Sequence, residues 1–195
     1  MRTIQLLLFP LLLLLAGSAR AQSIDWSFTY TGFRGIWTEE HDIFGTTTRE
    51  EDLPDAQVSG LFRGTDLDGD GILEQNELRS FVVGAVDYTG CALNPTRAMM
   101  CNLDGFRFVL DGRQLSFSAG WHGNDEFFSG WGGWVSAGDE AVDYSYNDYS
   151  QSTFTRAWTD RTRLSFQQLA PVPEPAACAM AAAGLALLGW RRRRR

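Results

Sequence analysis

Residues 106–119 read FRFVLDGRQLSFSA. Two short runs, 106–110 and 113–119, flank Asp111-Gly112, a pair favoured in the tight turns whose twist matches that of paired strands. This predicts a β-hairpin, and the rest of the chain is read outward from it. Upstream, residues 24–30 (Ile-Asp-Trp-Ser-Phe-Thr-Tyr) alternate apolar with polar, the pattern of a half-buried strand. Residues 58–63 read as another short strand. Downstream, strands are expected at 141–146, 153–158 and 162–168. The acidic segment 38–55, which holds Pro54, reads as a loop or edge, and the Gly- and Trp-rich segment 120–140 as loop with packed aromatics. Leu78, Phe81, Val82 and Ala85 recur at helical spacing and predict a helix over 74–86. Many short strands separated by turn signals predict a mainly β fold, an antiparallel sandwich or barrel interrupted by that one helix.

Just before the expected helix, residues 66–77 read Asp-Leu-Asp-Gly-Asp-Gly-Ile-Leu-Glu-Gln-Asn-Glu. Asp66, Asp68 and Asp70 stand at places one, three and five. Gly71 stands at six, where the chain must turn sharply. Ile72 offers a backbone carbonyl at seven, Glu74 acts through a water at nine, and Glu77 supplies two oxygens at twelve. Leu73 is the apolar residue that pins the loop to a core. The pattern resembles the twelve-residue calcium loop of the EF-hand. Calcium wants six to eight oxygens at about 2.3–2.6 Å, and alternate carboxylates on a tight loop converge to provide them. A solvated acidic turn is the plain alternative. The entering flank, 58–65, holds two glycines and reads as a strand, so the expected unit is strand–loop–helix. No second loop of this kind is present, which favours a structural calcium clamp of weak affinity, about 10⁻⁴–10⁻³ M, over a sensor.

Residues 22–170 carry 23 acidic residues against ten arginines, a formal net charge of −13. Such a body repels nucleic acid and anionic lipid and attracts divalent cations. Cys91 and Cys101 lie ten positions apart. In an oxidising compartment they are expected to form a disulfide worth roughly 2–3 kcal/mol in the chain-entropy model, with two free thiols the alternative. His41 and His122 are the only histidines. No nucleophile-elbow motif accompanies either, and no carboxylate pair stands out for glycoside hydrolysis, so no catalytic residues are assigned. Trp121, Phe127, Phe128, Trp131 and Trp134 cluster among glycines. Packing is their expected role. Exposed, they would stack on sugar rings, although a spacing of three sends Trp131 and Trp134 to opposite faces of a strand.

Both ends read as addresses. The first 22 residues are MRTIQLLLFPLLLLLAGSARAQ. Arg2 precedes an apolar run of about a dozen residues, and Ala19-Arg20-Ala21 sets small residues where a signal peptidase reads. A signal helix over 1–21 is expected, cleaved between Ala21 and Gln22. The last segment, 171–195, joins Val172-Pro173-Glu174-Pro175, an apolar helix over 176–190, and five arginines. The apolar run is short for a full span, and the arginines favour the cytoplasmic side, so transient contact with the inner membrane is expected. The order of these parts resembles the PEP-CTERM sorting signal of Gram-negative bacteria. That resemblance implies processing by an exosortase near Pro173-Glu174-Pro175 and a setting rich in exopolysaccharide. Some envelope proteins with such tails carry a calcium-type loop between a strand and a helix, and this chain resembles them.

The combined reading is a leader (1–21), a β-rich domain (22–170) and a sorting tail (171–195). The expected protein is exported to the cell envelope, the outer surface or the medium. It is expected to be a non-enzymatic structural or adhesive component associated with exopolysaccharide and stabilised by one Ca²⁺. A calcium-dependent carbohydrate-binding module is the first alternative and a secreted hydrolase the second.

Overall fold

The first two strands, β1 (Gln22–His41) and β2 (Gly45–Asp66), pair along nearly their whole length. The computed structural model describes residues 22–93, 99–125 and 128–169. After β2 come β3 (Ile72–Glu74), a 3-10 turn (Gln75–Glu77), β4 (Leu78–Val83), β5 (Val86–Asp87) and a short helix, α1 (Tyr88–Leu93). The remaining strands are β6 (Met99–Val109), β7 (Gln114–Asn124), β8 (Gly130–Ser136), β9 (Glu140–Asn147), β10 (Ser150–Ala157) and β11 (Arg163–Gln168).

Among the described residues the strands form one antiparallel sheet in the order β3-β6-β7-β8-β9-β10-β1-β2-β4-β5. β11 lies beside the first half of β1 (Trp26↔Gln168 to Thr31↔Arg163), and β10 beside the second half (Arg34↔Ala157 to His41↔Ser150). The sheet curls into a half-barrel, intermediate between the sandwich and the closed barrel that the sequence left open. Its path ends in β3 and β5, of three and two residues. Those two ends offer little template for pairing with another chain, whereas the distal arm of β2, paired with β1 alone, is a longer open edge.

The curl buries a phenylalanine cluster. Phe28 (β1), Phe62 (β2) and Phe81 (β4) face Phe106 and Phe108 (β6) and Phe117 (β7), all 5 % exposed or less. Ring centroids lie 4.7 Å apart for Phe62–Phe108 and 4.8 Å for Phe81–Phe117. Contacts of this kind add about 0.5–1.5 kcal/mol per pair beyond the area they bury. β1 keeps its inner face through a bulge: Ile24, Phe28 and Tyr30 are buried, the register shifts between Thr31 and Phe33, and Phe33 is then buried too. Gly32 sits in the shift at φ 82°, a conformation that costs glycine little. Opposite it, Pro54 falls among the β2 residues left unpaired between Leu53 and Gln57, where a missing N–H removes no ladder bond.

α1 lies between β4 and β6, and a disulfide joins its Cys91 to Cys101 in β6, with Cα atoms 5.9 Å apart. Phe81 N–H donates to Thr89 Oγ1 (3.0 Å), fixing the start of the helix to β4.

Three expectations give way. The helix over 74–86 is absent: Gln75–Glu77 forms one 3-10 turn, and 78–83 is strand. Phe81 pairs with Phe62 and Val83 with Gly60, so period-two burial beside β2 overrides a helical spacing that includes the β-branched Val82. The short helix instead occupies 88–93. Residues 120–140 are not mainly loop, because β7 runs to Asn124 and β8 spans Gly130–Ser136. Of the two readings of residues 38–55, loop gives way and edge holds: they are the distal arms of β1 and β2 around a turn at Asp42–Phe44, and the β2 arm pairs with β1 alone. The 106–119 hairpin forms, with a wider turn than Asp-Gly alone: Val109 pairs with Gln114, and Gly112 and Arg113 both adopt positive φ. The signal helix and the apolar tail helix lie outside the described residues.

Candidate metal centre

The acidic loop joins β2 to β3. Its base is fixed by burial: Asp66 closes β2 at 7 % exposure, and Leu73 is wholly buried, filling the space over Gly64. β3 pairs with β6 (Leu73↔Phe108), and Leu110 N–H donates to the Gly71 carbonyl at 2.9 Å. The loop is therefore tied to both walls of the half-barrel.

Within the loop each carboxylate is aimed by backbone N–H groups. Asp66 accepts from Gly69 (2.7 Å, Oδ1) and Gly71 (3.1 Å, Oδ2). Asp68 accepts from Asp70 (3.2 Å), and Asp70 from Ile72 (2.7 Å). Gly71 takes φ 81°, the sharp turn the sequence required of it. Glu77, 9 % exposed, accepts from Leu67 (2.7 Å, Oε1) and from Glu74 (3.0 Å, Oε2). The second of these is half of a capping box on the 3-10 turn.

Asp66, Asp68 and Asp70 each bring a carboxylate oxygen within 4.8 Å of the other two. Glu77 and Glu74 do not join the group at that separation; Glu77 is held at the loop base, and Glu74 is exposed. Like charges this close repel by about 1 kcal/mol per pair in water and about 3–4 kcal/mol at an effective dielectric of 20. With Asp68 and Asp70 exposed, the lower figure applies to that pair. The donor set is all oxygen and anionic, the chemistry of a hard divalent cation.

Of the other sequence candidates, Trp121, His122 and Trp134 line one groove, and the rest are scattered. His41 sits at the β1–β2 tip, its ring 4.7 Å from that of Phe44 and its Nδ1 accepting from Ile43 N–H (3.1 Å). His122 lies in β7. Trp131 and Trp134 are 44 % and 38 % exposed on β8, whose alternation turns them to opposite faces. Phe128 is 77 % exposed, Trp121 is half-buried, and Phe127 is outside the described residues. Sequence reading passed over Tyr144 and Tyr146 on β9. Their significance comes from register: the two tyrosines stand opposite Gly132 and Gly130, so aromatics face glycines across the strand pair. Ala21 and the sorting residues Val172, Pro173, Glu174 and Pro175 also lie outside the described residues. Gln22 opens β1, its backbone paired with Asp66. Among the described residues no helix is long and apolar enough to cross a membrane.

An antiparallel β domain with an acidic loop at its rim thus stands ahead of a tail of separate character. Residues 171–195 match the sequence model of the PEP-CTERM protein-sorting motif. The protein is an exported, cell-envelope or surface-associated protein carrying an exosortase-type sorting signal. No curated protein and no solved structure matches the chain.

Proposed function

We propose that the body is a non-enzymatic structural or adhesive component of the cell surface, working beside exopolysaccharide and stabilised by one calcium ion held in residues 66–77. The observation that carries the clamp is the convergence of Asp66, Asp68 and Asp70 within 4.8 Å at the buried end of β2. Ile72 would add its carbonyl, Glu74 a water-mediated contact and Glu77 its carboxylate. The ion would neutralise the acidic triad and tie β2 to β3 and the 3-10 turn. The −13 charge of residues 22–170 raises the local concentration of divalent cations. Signal peptidase before Gln22, and brief inner-membrane contact of the tail, belong to the same reading.

The test is a thermal melt of the full chain in EDTA and in 10 mM calcium. A dissociation constant of 10⁻⁴–10⁻³ M implies a stabilisation of about 1.4–2.7 kcal/mol. Asp68→Ala and Asp70→Ala, both at exposed positions, should fold and lose that increment, as should Asp66→Ala and Glu77→Ala. A parent melt that ignores 10 mM calcium ends the clamp.

A further inference from the structure

The outer face of β6–β10 carries a groove of about 630 Å³. One wall is aromatic. Tyr144 and Tyr146 stack with an interplanar angle of 13° and centroids 6.4 Å apart, and Trp134 leans on Tyr144 at 6.1 Å. The rings lie flat for a local reason. A Cβ on Gly130 would meet the Tyr146 ring at 2.5 Å, and one on Gly132 would meet the Tyr144 hydroxyl at 2.6 Å. Each tyrosine therefore folds over a glycine of β8, and any side chain there would force it upright. The Trp134 indole is held by its Nε1–H donating to Glu140 Oε1 at 2.8 Å. Trp134 and Tyr146 remain 38 % and 39 % exposed.

Uncharged polar groups flank the aromatics, Asn102 of β6 on one side and Gln151 and Thr153 of β10 on the other, and His122 of β7 also lines the groove. Among the described residues no Asp, Glu or Arg lines the groove, although residues 22–170 carry 23 acids. A calcium-bridged or cationic ligand would call for carboxylates here, and an anionic one for arginines. Flat aromatic faces beside amide and hydroxyl groups suit a ligand with apolar C–H faces and hydroxyl edges. We propose that this groove binds neutral polysaccharide, with Trp134, Tyr144 and Tyr146 stacking on pyranose rings and Asn102, Gln151 and Thr153 bonding to their hydroxyls. The site uses none of the acidic-loop residues and gives the surface role a ligand class.

The experiment is affinity electrophoresis of the full chain through native gels containing β-1,3-glucan, hydroxyethyl cellulose, dextran, galactomannan or alginate. At least one of the four neutral polymers should retard the parent, and alginate should not. Trp134→Ala and Tyr146→Ala should each weaken retardation by about ten-fold or more, whereas Tyr146→Phe retains most of it. Phe128→Ala, exposed but outside the groove, should leave it unchanged. Melting curves identify any variant that fails to fold, and a neutral-glycan shift in tryptophan emission that Trp134→Phe removes gives a second readout. Retardation by none of the neutral polymers, retardation by alginate alone, or retardation that folded Trp134→Ala and Tyr146→Ala both keep would each overturn the proposal. A chain that shows the calcium melt shift but binds no neutral glycan sinks the groove and leaves the clamp standing.

Discussion

The same two strands behave differently along their length. In the proximal half of the β1–β2 pair, Ile24, Phe28 and Tyr30 face Gly64, Gly60 and Val58, and all three β1 side chains are buried under the curl. In the distal half, residues 45–52 of β2 are exposed without exception, yet pairing continues to His41↔Gly45. A ladder across three strands replaces a core there. Trp37 stacks on Phe154 at 4.7 Å and 18°, Arg49 caps Trp37 at 4.3 Å, and Arg156 caps Phe154 at 4.5 Å. Ion pairs Arg34–Glu50 and Arg161–Asp52 flank it, both largely exposed and each worth little alone. The proximal half is held by burial and the distal half by cross-strand contacts, which contribute about 0.2–1 kcal/mol each.

That contrast is broken most directly in the core. Phe81 is fully buried and touches Phe28, Phe106 and Phe117. Phe81→Ala should cost about 3–5 kcal/mol in urea unfolding. A loss below about 1 kcal/mol would mean that burial does not hold the proximal half.

Alkaline pH probes the same half more gently. Burial pushes the Tyr30 hydroxyl up to about 12, and burial followed by the Asp143 charge pushes Tyr88 higher still. Both folded values lie above the unfolded one of about 10, so this contribution is intact below pH 10 and is lost as pH climbs through 12. The steepest slope is about 1.4 kcal/mol per pH unit for each tyrosine. Tyr30→Phe should flatten the decline between pH 10 and 12 without abolishing it, because Tyr88 still titrates. An unchanged slope would show that Tyr30 is not sealed from water.

The smallest effect should come from the distal half. Trp37→Ala removes the centre of the ladder and should cost about 1 kcal/mol or less globally. Amide exchange over residues 34–41 should nevertheless accelerate while residues 24–30 stay protected. Equal acceleration in both would show one cooperative unit and remove the distinction.

Legibility in the sequence follows the range of the forces involved. The 106–119 hairpin and the 24–30 strand were readable because turn chemistry and alternation act over a few residues. The acidic loop was readable for the same reason: Asp66, Asp68, Asp70 and Gly71 are fixed by spacing, and Leu73 was placed on the core side where it is found. The helix expected over 74–86 failed because Phe81 and Val83 pair with Phe62 and Gly60, about twenty positions away, and Phe81 packs on the still more distant Phe28, Phe106 and Phe117. The groove was missed because Tyr144 and Tyr146 gain meaning only beside Gly132 and Gly130.

By itself the sequence determined the β character, the acidic turn and the export address, each written in contiguous residues. The tertiary structure alone decided that one sheet would curl instead of splitting into two, that 78–83 would be strand, and that two tyrosines would lie flat over glycines. Those outcomes depend on which strands become neighbours. Neighbour choice is set by the burial of six phenylalanines drawn from five strands, a sum over distant positions that no local window contains.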